Sequence, residues 1–153
     1  MDKPTLNDRH TRREKVWDLE SALSRLPDAK FGDSELAPLY HLFCKGMYIR
    51  QIFLPKGLLA TGMIHKHEHP SFILTGDVGV FTEEEGLVRF VAPKVFVSKP
   101  GTKRAVFAFE DTIWVTVHLN PEELRDPDDL REYNVTNDYA QLEEKELLCL
   151  LRQ

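Results

Sequence analysis

The stretch Ser71-Phe72-Ile73-Leu74-Thr75-Gly76-Asp77-Val78-Gly79-Val80-Phe81 decides the fold. Two short β-rich runs, Ser71–Thr75 and Val78–Phe81, are parted only by the turn pair Gly76-Asp77, so they read as successive strands. Similar runs continue on both sides. Met47–Leu54 and Leu58–Ile64 precede them, and Leu87–Ala92, Val95–Ser98, Ala105–Phe109 and Thr112–Leu119 follow. Pro55-Lys56-Gly57, the Glu83–Gly86 stretch, Pro93 and Pro100-Gly101 punctuate the series. Some eight short strands at this pitch predict an all-β sandwich or barrel, and a jelly roll accommodates that number.

Moving outward, the pattern changes at both ends. Val16, Leu19, Leu23 and Leu26 recur at helical spacing until Pro27 stops them. Residues 28–45 read as an irregular lead-in. Beyond the strands, Asn120-Pro121-Glu122-Glu123 carries a helix-start signature with Pro at the first helical position, and Tyr139–Leu151 reads as a terminal helix. The expected organisation is one structural domain: an N-terminal helix and lead-in over 1–45, a barrel over 46–120 and a helical extension over 121–153.

Composition narrows the class. The 153 residues are 42% hydrophobic and 29% charged, as in a globular domain with a real core. Lysine and arginine number 20 against 25 acidic residues, a net −5 that argues against nucleic acid as a partner. The basic run Arg12, Arg13 and Lys15 reads as a solvated helix face or, alternatively, a binding arm. No run approaches the roughly 18 apolar residues of a membrane span. MDKPTLNDRH has no apolar stretch behind its charges, and Cys44 and Cys149 lie far apart, so a cytoplasmic protein with reduced thiols is expected. No phosphate loop, nucleophile elbow or dinucleotide fingerprint occurs in the sequence.

The chemistry concentrates in Gly62-Met63-Ile64-His65-Lys66-His67-Glu68-His69-Pro70, where three of six histidines fall together. On an extended strand alternate side chains share a face, so His65, His67 and His69 can all point into a barrel. Neutral imidazoles in that pattern suit a divalent metal such as Zn, Fe, Ni or Mn. The bland alternative is a polar strand end, because Lys66 and Glu68 alternate with the histidines. His118, opposite in face to Val115 and Val117, is a further candidate ligand. His41 is a more remote one, and Glu68 or Glu110 could supply a carboxylate.

These residues resemble the cupin superfamily over roughly 46–120. Gly57, His65 and Gly76 match anchors of the first cupin motif. Counting back from Gly76 puts His69 at the family's glutamate and His65 at its second histidine. Counting forward makes His65 and His67 the H-x-H pair. The register ending at Gly76 is preferred, since that turn pins the strand pair. Ser98-Lys99-Pro100-Gly101-Thr102-Lys103-Arg104 resembles the second motif, with Arg104 in place of its histidine ligand and Ala108 in place of its asparagine. The runs from Gly46 to Arg50, Pro100 to Arg104 and Glu110 to His118 look like small cupin-like proteins of tailed phages and their hosts. The resemblance implies a cupin-type jelly-roll β-barrel with flanking N- and C-terminal α-helices, and an interior site.

Arg104 has no lone pair and cannot ligate a metal. It and Arg50, which follows Tyr48 on the first strand, sit among apolar residues, so each must reach solvent, pair with an acid such as Glu110 or Asp111, or bind an anionic ligand. Two functions stay open. One is a barrel holding a divalent metal and a small anionic molecule, with His65, His69, His67 and His118 as ligands and Arg104, Arg50 and Tyr48 around the molecule. The other is a non-catalytic binding or assembly module with a degenerate site. The leucine-rich stretch 142–151 further predicts a homodimer, with the terminal or the N-terminal helix packed on a neighbouring surface.

Overall fold

The computed structural model describes residues 3–142. It opens with helix α1, Leu6–Ser24, started by a reciprocal cap in which Asp8 N–H donates to the Thr5 hydroxyl and Thr5 N–H donates to the Asp8 carboxylate at 2.9 Å. Strands β1 (Leu39–Cys44), β2 (Met47–Leu54), β3 (Leu59–Thr61), β4 (Ile64–His65), β5 (His69–Thr75) and β6 (Asp77–Thr82) follow. Then come β7 (Gly86–Val91), β8 (Lys94–Ser98), β9 (Arg104–Ala108) and β10 (Thr112–Leu119). Helix α2 (Pro127–Asn134) and strand β11 (Val135–Thr136) close the ordered series.

Two antiparallel sheets face each other, one ordered β1-β2-β10-β5-β8 and the other β3-β9-β6-β7, with β4 and β11 as a small third pair. This is a cupin-type jelly-roll barrel. Gly76 joins the two sheets between β5 and β6 at φ +93°, where a Cβ would meet the Asp111 carbonyl oxygen at 2.5 Å and Thr112 Cα at 2.7 Å. Only glycine fits there.

Alternation sorts the barrel interior. Along β10, Thr112, Trp114, Thr116 and His118 are buried and the residues between them are not. Register places Trp114 beside Ile52 and Ile73, Thr116 beside Arg50 and Ser71, and His118 beside Tyr48. Toward the Leu54 end the interior is apolar, with Leu54, Ile73, Val78, Val80, Ala108 and Trp114 forming one buried cluster. Toward the Tyr48 end it is polar. His69, Ser71, Ser98, Arg104, Thr116 and His118 are all buried there.

Helix α1 lies over the four-stranded sheet and is fastened by charge as much as by its buried Val16. Arg13 bonds both oxygens of Glu83 at 2.5 and 2.9 Å, Arg12 donates to the Glu84 carbonyl at 3.0 Å, and Arg9 pairs with Glu84 at 3.3 Å. The basic run thus grips the β6–β7 turn instead of forming a free arm. Lys103, whose side chain is 2% exposed, donates to Glu20 at 2.9 Å and to the Gly62 carbonyl at 2.8 Å, beneath the Trp17 ring.

Three expectations need correction. Residues 39–44, read as irregular, form β1 and pair with β2 from Leu39↔Ile52 to Cys44↔Met47. Asn120-Pro121 starts no helix. The Asn120 side chain instead closes a turn, bonding the Leu124 carbonyl and N–H at 2.9 Å each. The helix begins at Pro127, where Asp126 caps the N–H groups of Asp128 and Asp129. Of the expected terminal helix, Tyr139–Gln141 is a single 3-10 turn followed by extended Leu142, and 143–151 lies outside the described residues.

Candidate metal centre

Three histidines from three strands converge in the polar end. His65 ends β4, His69 begins β5 and His118 lies on β10. Ring centroids are 4.4 Å apart for His65–His69 and for His69–His118, and 5.9 Å for His65–His118. One nitrogen from each ring lies within 4.8 Å of the others. A metal with Zn–N bonds of ~2.1 Å needs nitrogens about 3.4 Å apart, so modest ring rotations close the cluster on an ion.

The backbone of His65 is held from two sides. Its N–H donates to the Thr102 carbonyl at 3.1 Å, its carbonyl accepts from Gly101 N–H at 2.8 Å, and it pairs with Val135 of β11. The Pro100-Gly101 turn therefore positions a histidine as well as ending a strand. His69 is set by its pairing with Ser98, and its Nδ1–H donates to the His67 carbonyl at 3.1 Å. That bond leaves the Nε2 lone pair unprotonated. His69 Nε2 and His65 Nδ1 are both buried with no hydrogen-bond partner. Buried polar atoms are rarely left so, and two in one cluster leave two imidazole lone pairs with which an ion could be held. His118 Nε2 lies 3.0 Å from the Thr116 hydroxyl, which itself donates toward the Arg50 carbonyl at 3.5 Å. Thr116 therefore accepts from His118, freeing Nδ1 as a donor to metal.

The surroundings keep all three rings neutral. Burial first, then the Arg104 charge and the neighbouring histidines, holds His65 well below the usual imidazole range. Burial lowers His69 to about 4 and His118 to about 3, with His69 gaining partial relief from the His67 carbonyl. Neutral imidazole is the form that binds metal.

Arg104 crosses the interior from β9. It donates to the Ser98 hydroxyl and lies 5.5 Å from the Trp114 ring and 5.8 Å from that of Phe96. Burial lowers its pKa to about 10, so it remains charged. Arg50 faces inward from β2 and is likewise lowered by burial. Tyr48 stacks 5.8 Å from His118, and its hydroxyl is 2.8 Å from His41 Nδ1. His41 thus reaches the edge of this layer through Tyr48.

His67 does not join the cluster. The strand breaks at Lys66–Glu68, and its ring turns to the Tyr133 side chain, with Nε2 3.1 Å from the Tyr133 carbonyl. Glu68 is exposed, and Glu110 is exposed and bonds Lys56 at 2.8 Å, so neither carboxylate enters the site. The anticipated Arg104 ion pair with Glu110 or Asp111 is absent among the described residues. Sequence reading passed over Ser98, Thr116 and the buried, unpartnered Trp114 Nε1. The signal was available, because Thr116 and Trp114 share the inward face of His118 at two-residue steps, and Ser98 shares that of Phe96.

No protein-family model and no curated protein matches the sequence significantly. Solved structures do match in fold. Ectoine synthase from P. lautus aligns over 65% of this chain and 75% of its own, at TM-score 0.51 and 13% identity. KdgF from Halomonas sp. aligns over 65% and 88%, at 0.50 and 16%. A Cupin 2 conserved barrel domain protein from Salinispora arenicola aligns over 63% and 87%, at 0.48 and 16%. At such identities the likeness is one of fold.

Proposed function

We propose that the protein binds a divalent transition metal through His65, His69 and His118 and holds a small anionic molecule beside it on Arg104. The observation that carries this reading is the convergence of three neutral imidazoles with His65 Nδ1 and His69 Nε2 buried and unpartnered. An all-nitrogen, three-ligand set suits Zn, Fe, Ni or Mn and leaves coordination positions open. Elemental analysis after loading with each of these ions should find about one per chain, lost in a His65→Ala, His69→Ala double variant. No bound metal after loading refutes the reading.

A second reading, a non-catalytic binding module, is favoured by the charges around the cluster. The groups that act on the three histidines are arginines and other histidines, and no acidic side chain is among them. Among the described residues no carboxylate stands beside the cluster as a general base. Metal-loaded protein that binds organic acids without altering them supports the module, and turnover of any of them excludes it.

We further propose that two copies pair through the outer face of the five-stranded sheet. That face presents Leu42 (51% exposed), Met47 (41%), Leu74 (52%), Val95 (62%), Val97 (60%) and Leu119 (63%). Five strands at ~4.8 Å spacing and six residues at ~3.4 Å give a footprint of about 500 Å² before corrugation. That lies in the upper part of the roughly 300–600 Å² of the largest apolar patch on a typical monomer, a patch that is often functional, and it is over half the ~800 Å² per partner of a standard interface. Light scattering at tens of micromolar should give a dimer mass that Val97→Lys with Leu119→Lys reduces to the monomer. A wild-type monomer mass overturns the proposal.

A further inference from the structure

We infer that the molecule taken by this barrel is a short dicarboxylate, one carboxylate at the histidine cluster and the other between Arg50 and Arg104. The inference rests on the metal reading above and deepens it.

The first ground is charge. Arg104 is 7% exposed, and among the described residues its guanidinium bonds only the neutral Ser98 hydroxyl. The half-buried Arg50 side chain has no hydrogen bond or ion pair among the described residues, and the acid that acts on it, Asp33, does so only at longer range. For Arg104 that distant acid is Glu85. Both guanidiniums are close enough to oppose protonation of His65, His69 and His118. A divalent ion on those neutral rings would bring the interior to four positive charges, two from the ion and one from each arginine. Buried cations are held by paired anions. A monoanion leaves three of the four unbalanced, whereas a dianion halves the excess.

The second ground is the order of the layers. His118 and Tyr48 lie at one level of the five-stranded sheet, and His69 is paired with Ser98. Two residues deeper lie Arg50, Thr116 and Ser71, and two deeper again lies Trp114. Each two-residue step is ~7 Å along the strand. The metal ligands and the Arg50 layer are therefore arranged in depth, and a molecule touching both needs acid groups at its two ends. Arg104 reaches the same space from the opposite sheet. The guanidinium fork binds a carboxylate through two parallel bonds, and the buried, unpartnered Trp114 N–H offers one donor more.

The test is calorimetry with succinate, propionate and inorganic phosphate on Zn-loaded and on EDTA-treated protein. Succinate should bind the Zn-loaded protein at least ~10-fold tighter than propionate, and Arg50→Gln and Arg104→Gln should each weaken it by a similar factor. Arg104→Lys should recover part of the loss, because charge returns without the fork. Circular dichroism and zinc content check that each variant is folded, and the lysine variants serve if a glutamine variant is not. Equal binding of succinate and propionate to protein that holds zinc overturns the dicarboxylate and leaves the metal reading standing. Phosphate binding tighter than succinate overturns it too. Succinate binding unchanged by EDTA, in protein that takes up no zinc, fails the metal reading instead and removes the two-ended contact with it.

Discussion

Acidifying the metal-free protein should destabilise it through the interior imidazoles, well before general acid denaturation. In the folded chain His69 titrates at about 4 and His118 at about 3, against ~6.5 for a histidine in the unfolded chain. Between those values the unfolded chain takes up protons that the folded barrel refuses. The stability tied to these groups is fully present above pH ~6.5 and falls as the pH drops toward the folded values. For His69 alone the loss by pH 4.5 is between roughly 2 and 3 kcal/mol, at ~1.4 kcal/mol for each pH unit traversed. His118, with its lower folded value, adds a comparable amount. Against a total stability of ~5–15 kcal/mol this is a large share. Urea unfolding midpoints measured in EDTA at pH 7.5, 6.5, 5.5 and 4.5 read it directly. The wild type should decline steeply below pH 6.5, and His118→Asn should decline less. A flat wild-type profile from pH 6.5 to 4.5, or the same decline in the variant, refutes the reasoning.

Gly76→Ala should cost about 3–4 kcal/mol, from a positive φ added to contact with the Asp111–Thr112 backbone. Gly57→Ala, at φ +84° with open space around it, should cost only ~1–2 kcal/mol, and thermal melts showing equal losses would contradict the crowding. Thr116→Val removes the acceptor that orients His118 and should weaken zinc binding ~10–100-fold by chelator competition. Unchanged affinity would show that His118 is oriented by something else.

The strands were legible where alternation was clean. Met47–Leu54 and Thr112–Leu119 fall in the structure at the bounds read from the sequence. β1 was not, because Tyr40 and Leu42 are apolar yet face out, so the inside–outside contrast that marks a strand is missing. His65 and His69 were readable as a pair from their distance to Gly76. The exclusion of His67 was not, since it depends on a break between β4 and β5 that no spacing rule reveals. His118 was placed on the correct face by alternation, but its approach to the other two comes from β10 pairing beside β5, a contact more than forty residues apart in sequence. Arg104 was singled out by its place in the motif it resembles. Its partner Ser98 needed the structure.

The division of the interior into an apolar end and a polar end has a consequence for descent. Leu54, Ile73, Val78 and Ala108 are packed on one another at one end, while the groups that would meet a ligand occupy the other. Mutation can therefore rewrite the polar layer one residue at a time without passing through an unfolded ancestor. Arg104, which stands at the place of the histidine in the motif it resembles, is a position where such a rewriting would show. A lineage of these barrels should accordingly diverge fastest in what it recognises and slowest at positions such as Gly76, which never touches a ligand. Sorting its members by ligand would then need only the few inward residues of β2, β5, β9 and β10.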